Sequence, residues 1–198
     1  MRVFLYLQKM TSMKKLILFT IAVASLAVSC QIQGLTNDYK KLSEVEQQKI
    51  VPLESFENLS TDKIYKINGQ QLRAELVKHE KSLVYVFKNG CTSEYCKPMY
   101  VYENYAKNNG YKLFLVMNGY GSLYETLEQR INFTSPLFSI DNDFYNSNIR
   151  NNYSRFFEND LQGIAIKTKQ KEYLGNLFFF NKDQLEKITK ELPSNKTP

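Results

Sequence analysis

The amino-acid sequence predicts an α/β fold, a sandwich in which helices flank a central, mostly parallel or mixed sheet. The prediction rests on two observations. Continuous apolar runs such as Leu83 to Phe87, and Leu113 to Met117 in the predicted strand Lys112 to Met117, are typical of strands buried on both faces. Between them lie stretches whose apolar residues recur every three or four positions, as in amphipathic helices. Strands that alternate with helices build two helical layers around one sheet.

The first elements follow from these patterns and from the residues that interrupt them. Tyr39 to Ile50 is predicted as a surface helix that ends before Pro52. Ile64 to Ile67 alternates as a strand, and Asn68 can cap a helix that runs to about His79.

The second half of the chain is predicted in the same way. Met99, Tyr102 and Ala106 share one helical face, and Asn108-Asn109-Gly110 ends that helix. The remaining predicted elements are a helix over Tyr124 to Ile131, a strand over Leu137 to Ile140, a helix over Ile149 to Leu161, a strand over Tyr173 to Phe180, and a helix over Lys182 to Leu192 with Asn181 and Gln184 as its capping pair.

The first 29 residues have the layout of an export signal. A positive segment at Met13-Lys14-Lys15 precedes the uncharged run Leu16 to Ser29, which is too short to cross a membrane comfortably. The small residues directly before Cys30 resemble the end of a bacterial lipoprotein signal. This resemblance implies cleavage before Cys30, a lipid on Cys30, and a protein held at a membrane of the cell envelope, facing the periplasm. An ordinary cleaved peptide, a signal anchor, and a translation start at Met13 remain open.

The predicted organisation is therefore a signal at 1–29, a tether and surface helix at 30–60, and one domain at 61–198. Removal of the signal takes away four basic residues and no acid, which leaves 22 basic residues against 20 acidic ones. No stripe of lysine and arginine remains that would indicate a nucleic-acid partner. The exported domain keeps one pair of cysteines, which can form one disulfide in an oxidising compartment.

That pair lies in Gly90-Cys91-Thr92-Ser93-Glu94-Tyr95-Cys96, between a predicted buried strand and a predicted helix. The N-H groups that open a helix carry partial positive charge and favour a thiolate, which is the reactive form of cysteine. Cys91 and Cys96 are therefore the predicted redox site.

The order of elements and the position of the cysteines resemble the thioredoxin-like superfamily over roughly Ile64 to Leu192. This resemblance implies that Cys91 lies at the end of a central strand as the attacking thiolate, with Cys96 in the first turn of the next helix as the resolving thiol. Lys97 matches the usual basic residue, and Lys88 adds electrostatic support. Pro136 is the candidate for the cis-proline that faces the cysteines, and Gln162-Gly163-Ile164 is the alternative. The chain departs from the pattern in its C-x-x-x-x-C spacing and in lacking the usual Trp.

The spacing has a structural consequence. Residues five apart in a helix have Cα atoms roughly 8.6 Å apart, outside the disulfide range. The Cys91 to Cys96 segment is therefore either a loop or a helical turn that unwinds on oxidation. Pro98 is compatible with both, because it has no N-H and disfavours helical dihedrals at Lys97.

The same heptapeptide resembles the site of Q-type peroxiredoxins, also called bacterioferritin comigratory proteins. That resemblance implies that Cys91 attacks peroxide and that Cys96 resolves the sulfenic acid into a disulfide. The family's Thr three residues before the first cysteine is replaced here by Lys88, and its upstream Pro is missing.

The leading hypothesis is a membrane-anchored thiol-disulfide oxidoreductase whose partners are envelope proteins with thiols or disulfides, and which needs no cofactor. The alternatives are a noncatalytic lipoprotein in which the disulfide braces a binding surface, a thiol peroxidase, and a Cu(I) site formed by Cys91, Cys96 and Met99. His79 is the only histidine, which argues against a zinc site or a Cys-His nucleophile pair.

Overall fold

A seven-stranded mixed sheet forms the centre of the computed structural model, which describes residues 34–169 and 172–193. The strand order is β1-β2-β5-β4-β3-β6-β7, and the first five of these strands are parallel. β6 runs antiparallel to β3, and β7 runs antiparallel to β6. The strands are β1 Ile50–Pro52, β2 Ile64–Ile67, β3 Lys81–Phe87, β4 Lys112–Met117, β5 Leu137–Ile140, β6 Leu177–Asn181 and β7 Gln184–Thr189.

Helices cover both faces of this sheet, which confirms the α/β sandwich. They are α1 Glu44–Gln47, α2 Gly69–Leu76, α3 Met99–Asn108, α4 Leu123–Glu128 and α5 Arg150–Leu161, with short 3-10 helices at Tyr39–Lys41 and Gln129–Asn132. In the part of the chain described, no helix has the length and apolar character needed to cross a bilayer.

Alternate residues of the strands belong to two separate apolar clusters, one on each face of the sheet. Successive side chains of a strand point to opposite faces, so the continuous apolar runs supply both clusters at once. Under α2 and α5 the cluster includes Ile67, Val84, Val86, Phe114, Val116, Phe138, Phe178 and Phe180. Under α3 and α4 it includes Leu83, Tyr85, Phe87, Leu113, Leu115, Met117, Leu137 and Phe179.

The helix ends use the residues that the sequence indicated. The Asn68 side chain accepts a hydrogen bond from the Gln71 N-H (2.9 Å), and the Gln71 side chain accepts one from the Asn68 N-H (3.1 Å), forming a capping box. At the end of α3, Gly110 takes a φ of 72°, and the Tyr111 N-H donates to the Ala106 carbonyl (2.8 Å). This is the glycine stop expected there.

The predicted helix over Lys182 to Leu192 is wrong, because these residues form a hairpin with β6. Lys182 turns the chain with a φ of 52°, and Asn181 and Gln184 face each other across the turn instead of capping a helix. Phe180 pairs with Leu185 and Phe179 with Lys187, so Glu186 is an extra residue, a β-bulge. The bulge returns Leu185 and Ile188 to the same face of the sheet, where both pack against the α2 and α5 cluster.

The predicted surface helix over Tyr39 to Ile50 is also mostly absent. Only the 3-10 turn at Tyr39–Lys41 and the four-residue α1 are helical, and Ile50 begins the edge strand β1. α1 starts with a capping box in which Ser43 and Glu46 bond each other. Pro52 is the last residue of β1, which pairs with β2. A proline fits this edge strand because it has no N-H to donate to a neighbouring strand.

One edge of the sheet gathers most of the long loops. Because β1 to β5 are parallel, the loops after them meet at the edge where these strands end, and the antiparallel β6 begins there too. The described amino-terminal segment binds at the same place, since the Arg150 N-H donates to the Leu35 carbonyl (2.9 Å) and the Tyr120 N-H to the Asn37 carbonyl (2.7 Å). We call this region the carboxyl edge, and it comprises residues 34–38, 88–98, 118–124, 141–149 and 172–176.

Candidate functional site

The two cysteines lie on the carboxyl edge, in the loop that connects β3 to α3. Cys91 and Cys96 are joined by a disulfide, and their Cα atoms are 6.0 Å apart. The segment between them forms turns and no helix. The segment is therefore non-helical in the oxidised protein, which both alternatives, a loop and a turn that unwinds on oxidation, require. Cys96 precedes the first residue of α3 by three positions, so it does not lie in the first helical turn as the thioredoxin-like resemblance implied.

A buried asparagine fixes the first half of this loop. Asn89 is 2% exposed, and its side-chain amide donates to the Gly119 carbonyl at 2.7 Å. Its side-chain oxygen accepts from the Thr126 hydroxyl at 2.6 Å. The backbone thus passes close to α4 just before Cys91, and Gly90 there has a φ of 65°.

The second half of the loop is fixed by contacts at the start of α3. The Cys96 N-H donates to the Ser93 carbonyl (2.9 Å), and the Lys97 N-H donates to the Tyr102 hydroxyl (3.2 Å). The Met99 N-H is bound by the side-chain oxygen of Gln129 at 2.9 Å, so one of the unpaired donors of this helix end is already satisfied.

The disulfide can be reached by a visiting molecule. Cys91 is exposed and Cys96 is half-buried, and each cysteine lines two clefts of about 380 and 350 Å³. The first, which we call the α4 cleft, is also lined by Glu125, Thr126, Gln129 and Asn132. The second, which we call the β6 cleft, is also lined by Asn118, Glu158, Tyr173, Asn176 and Lys190. Tyr85 and Lys88 contribute to both.

Glu158 is the site residue that sequence reasoning missed. It lies on α5, half-buried, and lines the β6 cleft together with both cysteines. Burial raises the pKa of its carboxyl group to about 7, and no described residue gives that carboxyl a hydrogen bond or an ion pair. A carboxyl group with this pKa exchanges protons near neutral pH. The sequence shows only a glutamate on a predicted amphipathic helix, with nothing to connect it to residues about 60 positions earlier.

Two further groups shape the floor of the site. Tyr85 is buried and stacks on Tyr102 with ring centroids 4.0 Å apart, and burial holds the pKa of Tyr85 well above its ordinary value. Its hydroxyl therefore stays neutral at physiological pH. The side-chain oxygen of Asn118 is buried without a hydrogen-bond partner in the described part of the chain, and this residue lines the β6 cleft. A ligand with an N-H or O-H donor would satisfy it.

Of the predicted supporting residues, the two lysines lie beside the disulfide and Pro136 does not. Lys88 lines both clefts, and the Lys97 ammonium group, beside the α4 cleft, donates to the Glu94 carbonyl at 2.9 Å. Pro136 precedes the first residue of β5, whereas the cysteines follow the last residues of β3, and it lines neither cleft. None of the described peptide bonds is cis. The backbone that meets β3 opposite the disulfide loop is at Asn176, whose carbonyl accepts from the Val86 N-H at 2.9 Å.

Comparison with known protein families, curated proteins and solved structures finds no match for this chain.

Cys30 and the predicted signal at 1–29 lie outside the described residues, as do 31–33. Within residues 34–169 and 172–193, no three His, Cys, Asp or Glu side chains come together as metal ligands would. His79 follows α2 and pairs with Glu75 of that helix at 3.0 Å, away from the disulfide. The chemically reactive group of the site is an accessible disulfide that lines two clefts. One of these clefts also contains the Glu158 carboxyl group, whose pKa is about 7.

Proposed function

We propose that this protein is a thiol-disulfide oxidoreductase that exchanges electrons with other proteins through Cys91 and Cys96. The observation that carries the proposal is the accessible disulfide at the carboxyl edge, with open clefts on both sides. A disulfide that serves only stability has no need of space for a partner. Open parallel sheets bind their ligands at this edge, which is where the cysteines lie.

The reaction transfers two electrons and two protons. In the reduced protein the Cys91 thiolate attacks one sulfur of a partner disulfide, which forms a mixed disulfide and releases one partner thiolate. The Cys96 thiolate then attacks the Cys91 sulfur. This step forms the Cys91–Cys96 bond, releases the second partner thiolate and leaves the partner with two thiols. The reverse sequence oxidises a partner dithiol.

The two cysteines differ in a way that supports these roles. Cys91 is exposed, as the thiol that meets a partner must be, whereas Cys96 is half-buried behind it. Lys88 lines both clefts, and its positive charge favours the thiolate over the thiol.

Glu158 supplies a proton acceptor for the same step. A thiol must lose its proton before it attacks, and the leaving thiolate must gain one. A carboxyl group whose pKa is about 7 serves either purpose near neutral pH, and Glu158 shares the β6 cleft with both cysteines.

The proposed setting is the bacterial cell envelope. The lipoprotein-like sequence before Cys30 supports a lipid anchor in a membrane, with the domain facing the periplasm and envelope proteins as partners. The sequence supports no nucleic-acid partner, since its basic and acidic residues nearly balance once the signal is removed.

Reduction of insulin disulfides, combined with a redox titration, tests the proposal. We expect activity that is lost in Cys91→Ser and kept in Thr92→Ala, an exposed substitution in the same loop. Cys96→Ser should accumulate a mixed disulfide through Cys91, because the resolving step is blocked. A reduction potential between about −270 and −120 mV would match known exchange proteins, whereas one below about −300 mV would indicate a structural bond and overturn the proposal.

A noncatalytic brace is the second candidate. Only a few hydrogen bonds hold the loop between its two anchored ends, so a covalent link would add order to a surface that binds a partner. This candidate predicts that reduction weakens partner binding and that no substrate disulfide is reduced.

Rapid disulfide formation with stoichiometric peroxide, measured on the reduced protein, would instead favour the peroxidase.

A further inference from the structure

Large exposed apolar side chains concentrate on the carboxyl edge, around the disulfide. Each loop of the edge contributes at least one of them. Six are Leu35, Tyr95, Tyr124, Phe144, Ile149 and Leu174. Several exposed apolar side chains on one edge of a domain indicate a site that contacts something else.

Where the chain enters the domain indicates what that contact is. The described segment reaches the fold at Leu35, on this same edge, where its carbonyl accepts from the Arg150 N-H. Cys30 and the uncharged run Leu16 to Ser29 come immediately before it in the sequence. Five residue steps separate Cys30 from Leu35, and a fully extended chain covers at most about 18 Å in five steps.

That short reach constrains how a membrane-anchored domain can sit. Whether Cys30 carries a lipid or follows a signal anchor, Leu35 stays within about 18 Å of the point of attachment. The edge that contains Leu35 is therefore the part of the domain that this short tether would keep close to the bilayer.

The composition of the edge suits a lipid surface. Tyrosines such as Tyr95 and Tyr124 are amphipathic and are enriched at the level of lipid headgroups. Phe144 and Leu174 supply apolar groups between them, and the long stems of Lys88 and Lys97 allow their charges to reach phosphate groups while the stems stay in apolar surroundings.

We infer that the carboxyl edge of the sheet rests on the lipid surface, so that the Cys91–Cys96 disulfide is held at the bilayer. This inference rests on the membrane anchoring in the proposed function and adds an orientation to it. It also defines the class of redox partner. A partner must present its cysteines close to the membrane surface, as a membrane protein does in its short loops, because a large soluble protein cannot enter between the edge and the headgroups.

Photolabelling from the lipid tests the orientation. The full chain is purified from bacterial membranes and reconstituted in vesicles of phosphatidylethanolamine and phosphatidylglycerol that contain a phospholipid with a diazirine near its headgroup. Labelled peptides are quantified by mass spectrometry. Val77 is the internal control, because it lies at the end of α2, on the opposite edge, and is 53% exposed, as against 54% for Leu35 and 53% for Leu174.

We expect peptides with Leu35, Phe144 and Leu174 to carry on the order of tenfold more label than the peptide with Val77, because a short-lived carbene formed near the headgroups reacts only with nearby side chains. Ile149→Asp should lower the labelling of Phe144 several-fold, since it places a charge on the edge, whereas Val77→Asp should leave it unchanged. Ile149 is the N-cap of α5 and Asp is favoured at that position, so the fold should be retained.

The possible failures are distinguishable. Vesicle flotation with equal labelling of Val77 and the edge, or with no labelling of either, overturns the orientation while the redox proposal stands on its insulin assay. Loss of flotation overturns both the membrane anchoring and the orientation. Reduction of insulin by the vesicle-bound protein as fast as by the same protein in detergent would also contradict the orientation, because the disulfide would then be open to a soluble substrate.

Discussion

Replacement of Glu158 by Gln should remove a pH dependence of stability that this one carboxyl group creates. Burial raises the pKa of Glu158 to about 7 from an ordinary value of 4.5. That difference corresponds to at most about 3 kcal/mol of unfolding free energy, with about 2.5 kcal/mol of it between pH 5 and pH 8. These are upper bounds, because Glu158 is half-buried and residual solvent screens its charge.

The sign follows from proton binding. Between about pH 4.5 and pH 7 the folded protein keeps the Glu158 proton that the unfolded chain has released. The unfolding free energy must therefore fall as pH rises through this window and level off above the folded pKa. Glutamine has a similar shape and does not titrate, so the variant should lose this slope and gain stability relative to the wild type towards pH 8.

Urea unfolding of both proteins at several pH values between 5 and 8 measures the difference. Glu94→Gln is the matched control, because Glu94 is an exposed glutamate in the disulfide loop. Its profile should follow that of the wild type. Parallel profiles for wild type and Glu158→Gln would refute the claim that this carboxyl group is protonated near neutral pH in the folded protein.

The remaining predictions concern the loop and the sheet. Cys91→Ser combined with Cys96→Ser should lower the unfolding free energy by only about 2 kcal/mol, since the disulfide closes a short loop; a loss twice as large in urea unfolding would favour the brace. Asn89→Ala removes the bonds to Gly119 and Thr126 from a buried site and should cost about 2 kcal/mol or more in the same assay; Asn89→Asp should cost at least as much near neutral pH, because it buries a carboxylate whose oxygen replaces the amide donor beside the Gly119 carbonyl. Gly175→Ala should greatly reduce the yield of folded protein, because the new Cβ would collide with the Thr189 backbone at a φ of 142°; Gly110→Ala, at a φ of 72° in open space, should lower thermal stability only slightly. Equal effects of the two glycine substitutions would contradict this account.

The two central strands β3 and β4 were predictable because their signal is local. Leu83 to Phe87 and Leu113 to Met117 are apolar throughout, as is typical of strands with both faces buried. The cap at Asn68 and the stop at Gly110 were equally local, since each depends on a backbone geometry that few residue types adopt.

The carboxyl-terminal hairpin was mispredicted because its local signal is ambiguous. Leu185 and Ile188 are three residues apart, a spacing that places them on one face of a helix. In the structure these residues form β7, and the bulge at Glu186 places Leu185 and Ile188 on one face of that strand as well. Pairing with β6 outweighs the local pattern that favoured a helix. A bulge is defined by its partner strand, so the residues of β7 alone could not reveal it.

The sequence by itself determined the sheet's buried strands, the helix boundaries at Asn68 and Gly110, and the position of a cysteine pair just after a central strand. It also restricted the Cys91 to Cys96 segment to a loop or an unwound turn, because helix geometry forbids a disulfide at that spacing. Only the tertiary structure decided that Glu158 and Asn118 share a cleft with the disulfide, that Pro136 lies elsewhere, and that most of the large exposed apolar side chains in the described residues lie on one edge. The reason is that local conformation depends on neighbouring residues, whereas a site is assembled from loops that the strand order brings together across the whole chain.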